Sequence, residues 1–210
     1  MDLFGNNGIG TNAKVKLKNL DLPDAQVCLY ENFFSEEESE FLFKQLATTI
    51  NWEQKQIKLF GKLIAQPRLT AFYGDAHKNY TYSGLLWEAK AWTEELLMIK
   101  LRIEEVCKES FTSVLMNYYR YGEDSMGWHA DDEKELGSNP IIASISFGET
   151  RSFQMRHRHN KEIEKLSIQL TKGSLLLMTG STQHFWQHQI PKSSKCLNPR
   201  INLTFRQIKN

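Results

Sequence analysis

From about residue 113 to the C-terminus the chain is a succession of short apolar or alternating runs, and this most limits what it can become. SVLMNYYRYG, IIASISF, SFQMRH, KLSIQL, SLLLM, FWQHQI and RINLTFRQI are parted by clusters of Gly, Pro, Asn and Lys. Short strands punctuated by turn residues make a sandwich or a barrel. Helical patterns lie before these strands instead of alternating with them, which disfavours a doubly wound α/β fold. Ser35-Glu36-Glu37-Glu38 is a capping box, and Phe41, Leu42, Leu46 and Ile50 follow at helical spacing. A second helix is expected from Thr93 to Glu109, and a hairpin over residues 55–64, turning near Phe60-Gly61. The fold class is mainly β with flanking helices, α+β in type.

At 210 residues, one domain is expected. Residues 1–25, rich in Gly, Asn and Lys, read as a flexible arm ahead of a single domain over 26–210. Cys28, Cys107 and Cys196 form no CxxC pair, so a disulfide framework and a zinc knuckle are both disfavoured. No apolar run reaches the roughly 18 residues of a membrane span, and the N-terminus lacks the marks of a signal peptide. The expectation is a monomer in the cytoplasm, or in the nucleus if the source is eukaryotic, with no membrane partner. A net charge of +1 does not announce a polyanion ligand, although it leaves room for a local basic surface.

The segment GWHADDE sets His129 and Asp131 two positions apart after a strand-like run, so in extended chain both side chains project the same way. His188, in FWQHQIP, supplies a third donor. Two imidazoles and one carboxylate on one face of an ion leave three positions open, as in non-haem iron(II) oxygenases. His184 lies four positions before His188 and competes for the role on spacing alone. His188 sits inside the strand-like run and His184 beside the turn-rich GSTQ. His157 and His159 belong to the basic loop RHRHNK and read as solvated.

RINLTFR carries Arg200, Asn202, Thr204 and Arg206 at alternate positions, with Ile201, Leu203 and Phe205 between them. A solvent-facing polar side would account for this pattern. So would a dicarboxylate bound inside the sandwich, with one carboxylate for each guanidinium.

Together, NYYRYGEDSMGWHADDE, IIASISFGETRSFQMR, GSLLLMTGSTQHFWQHQIPK and PRINLTFR resemble the AlkB-type nucleic-acid dealkylases, over about residues 26–208. The resemblance implies a double-stranded β-helix (jelly-roll) core over about 113–208 and a nucleotide-recognition lid over about 55–85. It implies Fe(II) on His129, Asp131 and His188, with 2-oxoglutarate and O2 as cosubstrates. Asn117, Tyr119, Arg200, Asn202, Thr204 and Arg206 match the residues around 2-oxoglutarate. Asp132, with Glu133 beside it, matches an acid that reads the exocyclic amine of a damaged base. Arg68, Tyr80 and Tyr82 match the lid, where an aromatic face would stack on a flipped base.

Lys58-Leu59-Phe60-Gly61-Lys62 matches the place where duplex-acting relatives insert an apolar finger, and a Phe60 buried against the helices is the other reading. The implied reaction is oxidative demethylation of bases of the 1-methyladenine and 3-methylcytosine type in DNA, with RNA left open as an alternative substrate. 2-Oxoglutarate is converted to succinate and formaldehyde is released. The competing expectations are a same-fold oxygenase of a protein or small molecule and a non-catalytic nucleic-acid-binding sandwich. RHRHNK and Lys192 to Lys195 are the candidate phosphate-binding surface.

Overall fold

Continuous burial along the last strand organises the molecule, because that strand is covered on both faces. The computed structural model describes residues 15–59, 62–78, 80–82, 85–195 and 198–209, apart from the side chains of 58, 59, 80–82, 85 and 86. The chain opens with β1 (Lys16–Leu20), β2 (Gln26–Glu31) and α1 (Glu36–Thr49). Next come β3 (Gln56–Leu59), β4 (Lys62–Ala65), β5 (Leu69–Gly74), β6 (Tyr80–Tyr82) and β7 (Leu85–Trp87). After α2 (Glu94–Cys107) follow β8 (Ser113–Tyr119), β9 (Met126–His129), β10 (Ile142–Gly148), β11 (Arg151–His157), β12 (Leu166–Leu170) and β13 (Leu175–Thr179). The short helix α3 (Thr182–Phe185) leads into β14 (Trp186–Ile190), and β15 (Arg200–Arg206) closes the fold.

Seven strands form the major sheet in the order β1-β2-β13-β10-β15-β8-β5, and four form the minor sheet in the order β12-β11-β14-β9. The pairings are antiparallel. β15 lies between β8 and β10 and is buried along all seven residues. Ile201, Leu203 and Phe205 pack under the helices with Leu42, Leu46, Leu96, Ile99 and Ile103. The opposite face looks into the space between the sheets, where Leu115, Phe153, Met155, Met178, Trp186 and Ile190 form a second core. This two-layer arrangement is the expected jelly roll.

Both helices start where their caps require. Ser35 Oγ accepts from Glu38 N at 3.1 Å and Glu38 Oε2 accepts from Ser35 N at 2.7 Å, the reciprocal box read from the sequence. Thr93 caps α2 by accepting from Leu96 N, and Lys108, in the left-handed region, ends that helix. At the turn from β10 to β11 the chain leaves one sheet for the other. Gly148 has φ +83° there, and a Cβ on it would meet the Pro199 carbonyl oxygen at 2.5 Å.

Two expectations need correction. Residues 16–20 are an edge strand paired along β2, so the ordered body starts well before residue 26. RHRHNK is not a solvated loop, because Arg156 and His157 end β11. His157 is buried against Trp186, and its Nδ1 accepts from the backbone N–H groups of His159 and Asn160. The hairpin expected over 55–64 forms as β3–β4, but its tip, Phe60-Gly61, lies outside the described residues. Among the described residues no helix is long and apolar enough to cross a membrane.

Candidate active site

Where β9 meets β14, His129 is the register partner of His188, and the ladder slips by a bulge between His188 and Ile190. The two rings lie 4.2 Å apart between centroids. Asp131, two residues beyond His129, turns its carboxylate between them. One donor atom from each of the three lies within 4.8 Å of the others. His184 is elsewhere: it belongs to α3, and its Nε2 meets Asn139 Oδ1 at 3.0 Å.

The protonation states suit a cation. His129 Nδ1 lies 2.9 Å from the Gly127 carbonyl oxygen, which can only accept, so Nδ1 carries the hydrogen and Nε2 keeps its lone pair. Burial pushes the His129 imidazole below its ordinary pKa. Burial, and then the neighbouring His129, push His188 down to about 3. Burial alone would raise Asp131, but the Arg206 guanidinium and the two imidazoles outweigh it and hold the carboxyl at about 2. The result at neutral pH is two neutral imidazoles and one carboxylate, the forms that bind metal.

Asp131 is 1% exposed. Its Oδ1 accepts from Arg206 Nη2 at 2.6 Å, whereas its Oδ2 has no hydrogen-bond partner among the described residues and faces His188 Nε2 at 3.7 Å. A buried carboxylate oxygen aimed at two imidazole nitrogens is what a divalent ion would satisfy.

This group opens onto a cleft between the sheets. Asn117 and Tyr119 from β8, Ser144 from β10, and Arg200, Asn202, Thr204 and Arg206 from β15 line it together with the three donors. Its side chains are held in place. Arg200 Nη2 donates to Ser146 Oγ at 2.9 Å, and its guanidinium lies over the Tyr119 ring. Asn202 Nδ2 donates to Ser144 Oγ and to the Ile145 carbonyl, and Thr204 Oγ1 donates to Asn202 Oδ1. The charged side chains of the lining other than the histidines are two guanidiniums and one carboxylate, so the cleft favours an anion.

The residues expected to meet a substrate are more scattered. Asp132 is exposed, and its Oδ2 accepts from Arg158 Nη1 at 2.7 Å. Glu133 is the N-cap of the 3-10 turn Lys134–Leu136. Arg68 departs from its expected place in the lid. It is buried just before β5, where Nε donates to Asn117 Oδ1 at 2.7 Å and Nη1 to the Ser125 carbonyl, so it braces the Asn117 side of the cleft. Tyr80 and Tyr82 lie on β6, paired with β7, but their side chains are outside the described residues.

Several participants escaped the sequence reading. Ser144 and Ser146 carry the same alternating signal in IASIS that marked β15. Gln183, whose Oε1 accepts from Asp131 N at 2.9 Å, has no sequence signature. Arg158 was hidden among the basic residues of RHRHNK.

A two-layer antiparallel sandwich holding two histidines and a carboxylate at one end of an anion-favouring cleft defines a non-haem iron oxygenase class. The chain belongs to the 2OG-Fe(II) oxygenase superfamily, whose model matches residues 26–206, and within it to the AlkB-type branch. It is 42% identical over 192 residues to mouse alpha-ketoglutarate-dependent dioxygenase alkB homolog 3, covering 88% of this chain and 66% of that relative. It is 38% identical over 190 residues to mouse DNA oxidative demethylase ALKBH2, covering 86% of this chain and 80% of that protein. The chain thus spans slightly under two thirds of the alkB homolog 3 relatives. The solved structure of OsALKBH1 superposes with a TM-score of 0.65 at 14% identity, over 91% of this chain and all of that one, a likeness of fold. Membership implies Fe(II), 2-oxoglutarate and O2, and the donor set described above fits them.

Proposed function

We propose that the chain is an oxidative demethylase of N-alkylated nucleobases in DNA or RNA. His129, Asp131 and His188 hold Fe(II), while Asn117, Tyr119, Arg200, Asn202, Thr204 and Arg206 hold 2-oxoglutarate. The observation that carries the reading is the unsatisfied Asp131 Oδ2, converging with two neutral imidazoles beside the guanidiniums of β15. Names of similar proteins point the same way, since relatives at 37–38% identity include DNA oxidative demethylases.

When bound, Fe(II) with 2-oxoglutarate and O2 supplies an oxidant that hydroxylates a C–H bond, with loss of CO2 and formation of succinate. The protein's own work is positioning. Arg206 fixes Asp131 through Oδ1 and leaves Oδ2 for the metal. Arg200, locked by Ser146 and Tyr119, offers its cation to the far carboxylate of the cosubstrate. Phe153 stacks on His188 at 5.1 Å and presents an apolar wall to water. Asp132 places an exposed acceptor beside Asp131, where the exocyclic amine of a base made cationic by alkylation would be recognised. Such a base pairs poorly, so extruding it costs less than extruding an intact one. The hairpins β3–β4 and β6–β7 serve as the lid. Once hydroxylated, the N-methyl group is a hemiaminal that releases formaldehyde.

The test is anaerobic loading with Fe(II) and 2-oxoglutarate, followed by O2 and oligonucleotides carrying 1-methyladenine or 3-methylcytosine. Succinate, formaldehyde and repaired base in equal amounts are expected. Succinate without repaired base would transfer the function to a protein or small-molecule substrate. Absence of both products would end the enzymatic reading.

A further inference from the structure

Asp131 and Asp132 are consecutive, yet one carboxylate is buried against two imidazoles and the other is exposed. Extended backbone sends successive side chains to opposite sides, but β9 ends at His129 and its ladder does not reach either aspartate. Two residues that do not line the cleft supply the missing restraint. Buried Gln183 on α3 accepts the Asp131 N–H through Oε1 at 2.9 Å, and its Nε2 rests 3.6 Å from Met178 Sδ. Arg158, one residue past β11, donates Nη1 to Asp132 Oδ2 at 2.7 Å and to the Gln183 carbonyl at 3.1 Å. Gln183 therefore holds Asp131 with its side chain, and its main chain anchors the guanidinium that holds Asp132.

We propose that Gln183 and Arg158 are positioning residues that assign the adjacent carboxylates to different tasks. Gln183 sets the direction of Asp131 and hence metal affinity, and Arg158 sets the direction of Asp132 and hence recognition of the base. The inference rests on the functional reading above. Its physical basis is that the Asp131 amide is buried and loses its acceptor when Gln183 is shortened, so the carboxylate loses its fixed origin. Arg158 meets its partner at an exposed position, where the pair orients a side chain and adds little to stability.

Co(II) titration followed by absorption, together with steady-state kinetics on a 1-methyladenine oligonucleotide, separates the two arms. Gln183→Ala weakens Co(II) binding by about tenfold or more, the usual effect of removing an outer partner of a metal ligand. Gln183→Glu keeps an acceptor oxygen at the same reach and restores binding. Arg158→Ala leaves Co(II) affinity unchanged and raises KM several-fold with a smaller effect on kcat, and Arg158→Lys recovers part of the loss. Should circular dichroism show that Gln183→Ala does not fold, Gln183→Asn, one methylene shorter, carries the same comparison.

Wild-type Co(II) affinity in Gln183→Ala, or equal metal loss in Arg158→Ala, overturns the assignment. A wild-type protein that takes up no Co(II) overturns the functional reading and this inference with it. Loss of Co(II) in His188→Ala but not in Gln183→Ala overturns this inference alone.

Discussion

The wall of the cleft and the hairpins beside it are built to opposite standards. β15 is hydrogen-bonded on both sides and buried throughout, and its polar side chains are locked to Ser144, Ser146 and Asp131. β3–β4 and β6–β7 are two-stranded, and on β4 Leu63 is 70% and Ile64 44% exposed. An isolated two-stranded hairpin is marginally stable in water. The cleft therefore offers one enforced geometry, while the hairpins, proposed above as the lid, are free to adjust to what they cover.

The sharpest way to break this contrast is at the triad. His129→Ala, Asp131→Ala and His188→Ala are each expected to abolish turnover while leaving oligonucleotide binding measurable by fluorescence anisotropy, because the hairpins remain. Arg206→Ala comes next. It leaves Asp131 buried without its guanidinium, and the metal-free protein should lose about 3 to 5 kcal/mol in urea denaturation. A loss below about 1 kcal/mol would show that the wall tolerates imbalance as the hairpins do.

Acid should act on the wall as well. His188 is neutral in the folded chain, with its pKa down at about 3, whereas the unfolded chain protonates it below its ordinary value of 6.5. Stability of the metal-free protein therefore declines as pH falls from about 6.5 toward 3, because the unfolded state binds the extra proton. Asp131, held at about 2, adds stability above its ordinary value that is lost as pH falls through 2. Melting temperatures of chelator-treated protein between pH 7.5 and 5 check the first effect, and His188→Asn should flatten the slope. The smallest stability change is expected on the other side of the comparison. Leu63→Ser and Ile64→Ser should shift stability by no more than about 0.5 kcal/mol yet raise KM for oligonucleotides.

Much of the wall was legible in the sequence because its signal is periodic. Arg200, Asn202, Thr204 and Arg206 alternate with apolar residues, the two-residue period of a strand with one face on a polar cleft and the other in an apolar core. Ser35 announced its helix through local chemistry, whereas α2 was read from its dense apolar pattern and Thr93, expected as its first residue, is its cap. β9 went unseen because four residues are too few to show a period, and His129 is its last. β1 was misread because its exposed Lys16 and Lys18 look like loop, though main-chain pairing to β2 needs no apolar side chain. His157 and Arg158 were misassigned because composition cannot tell a solvated basic residue from one whose partner is brought by a distant part of the chain. Asp24, Trp186 and Asp132 are such partners. Gln183 left no trace for the same reason, since its contact with Asp131 arises only when α3 comes to lie beside the segment that follows β9.

The central claim is that His129, Asp131 and His188, and not His184, hold the metal against which 2-oxoglutarate binds. Calorimetric titration of 2-oxoglutarate with and without Mn(II), which cannot turn over, tests it without any nucleic-acid substrate. Mn(II) should tighten 2-oxoglutarate binding in the wild type and in His184→Ala, and should have no effect in His188→Ala. Tightening that survives in His188→Ala and disappears in His184→Ala would contradict the account.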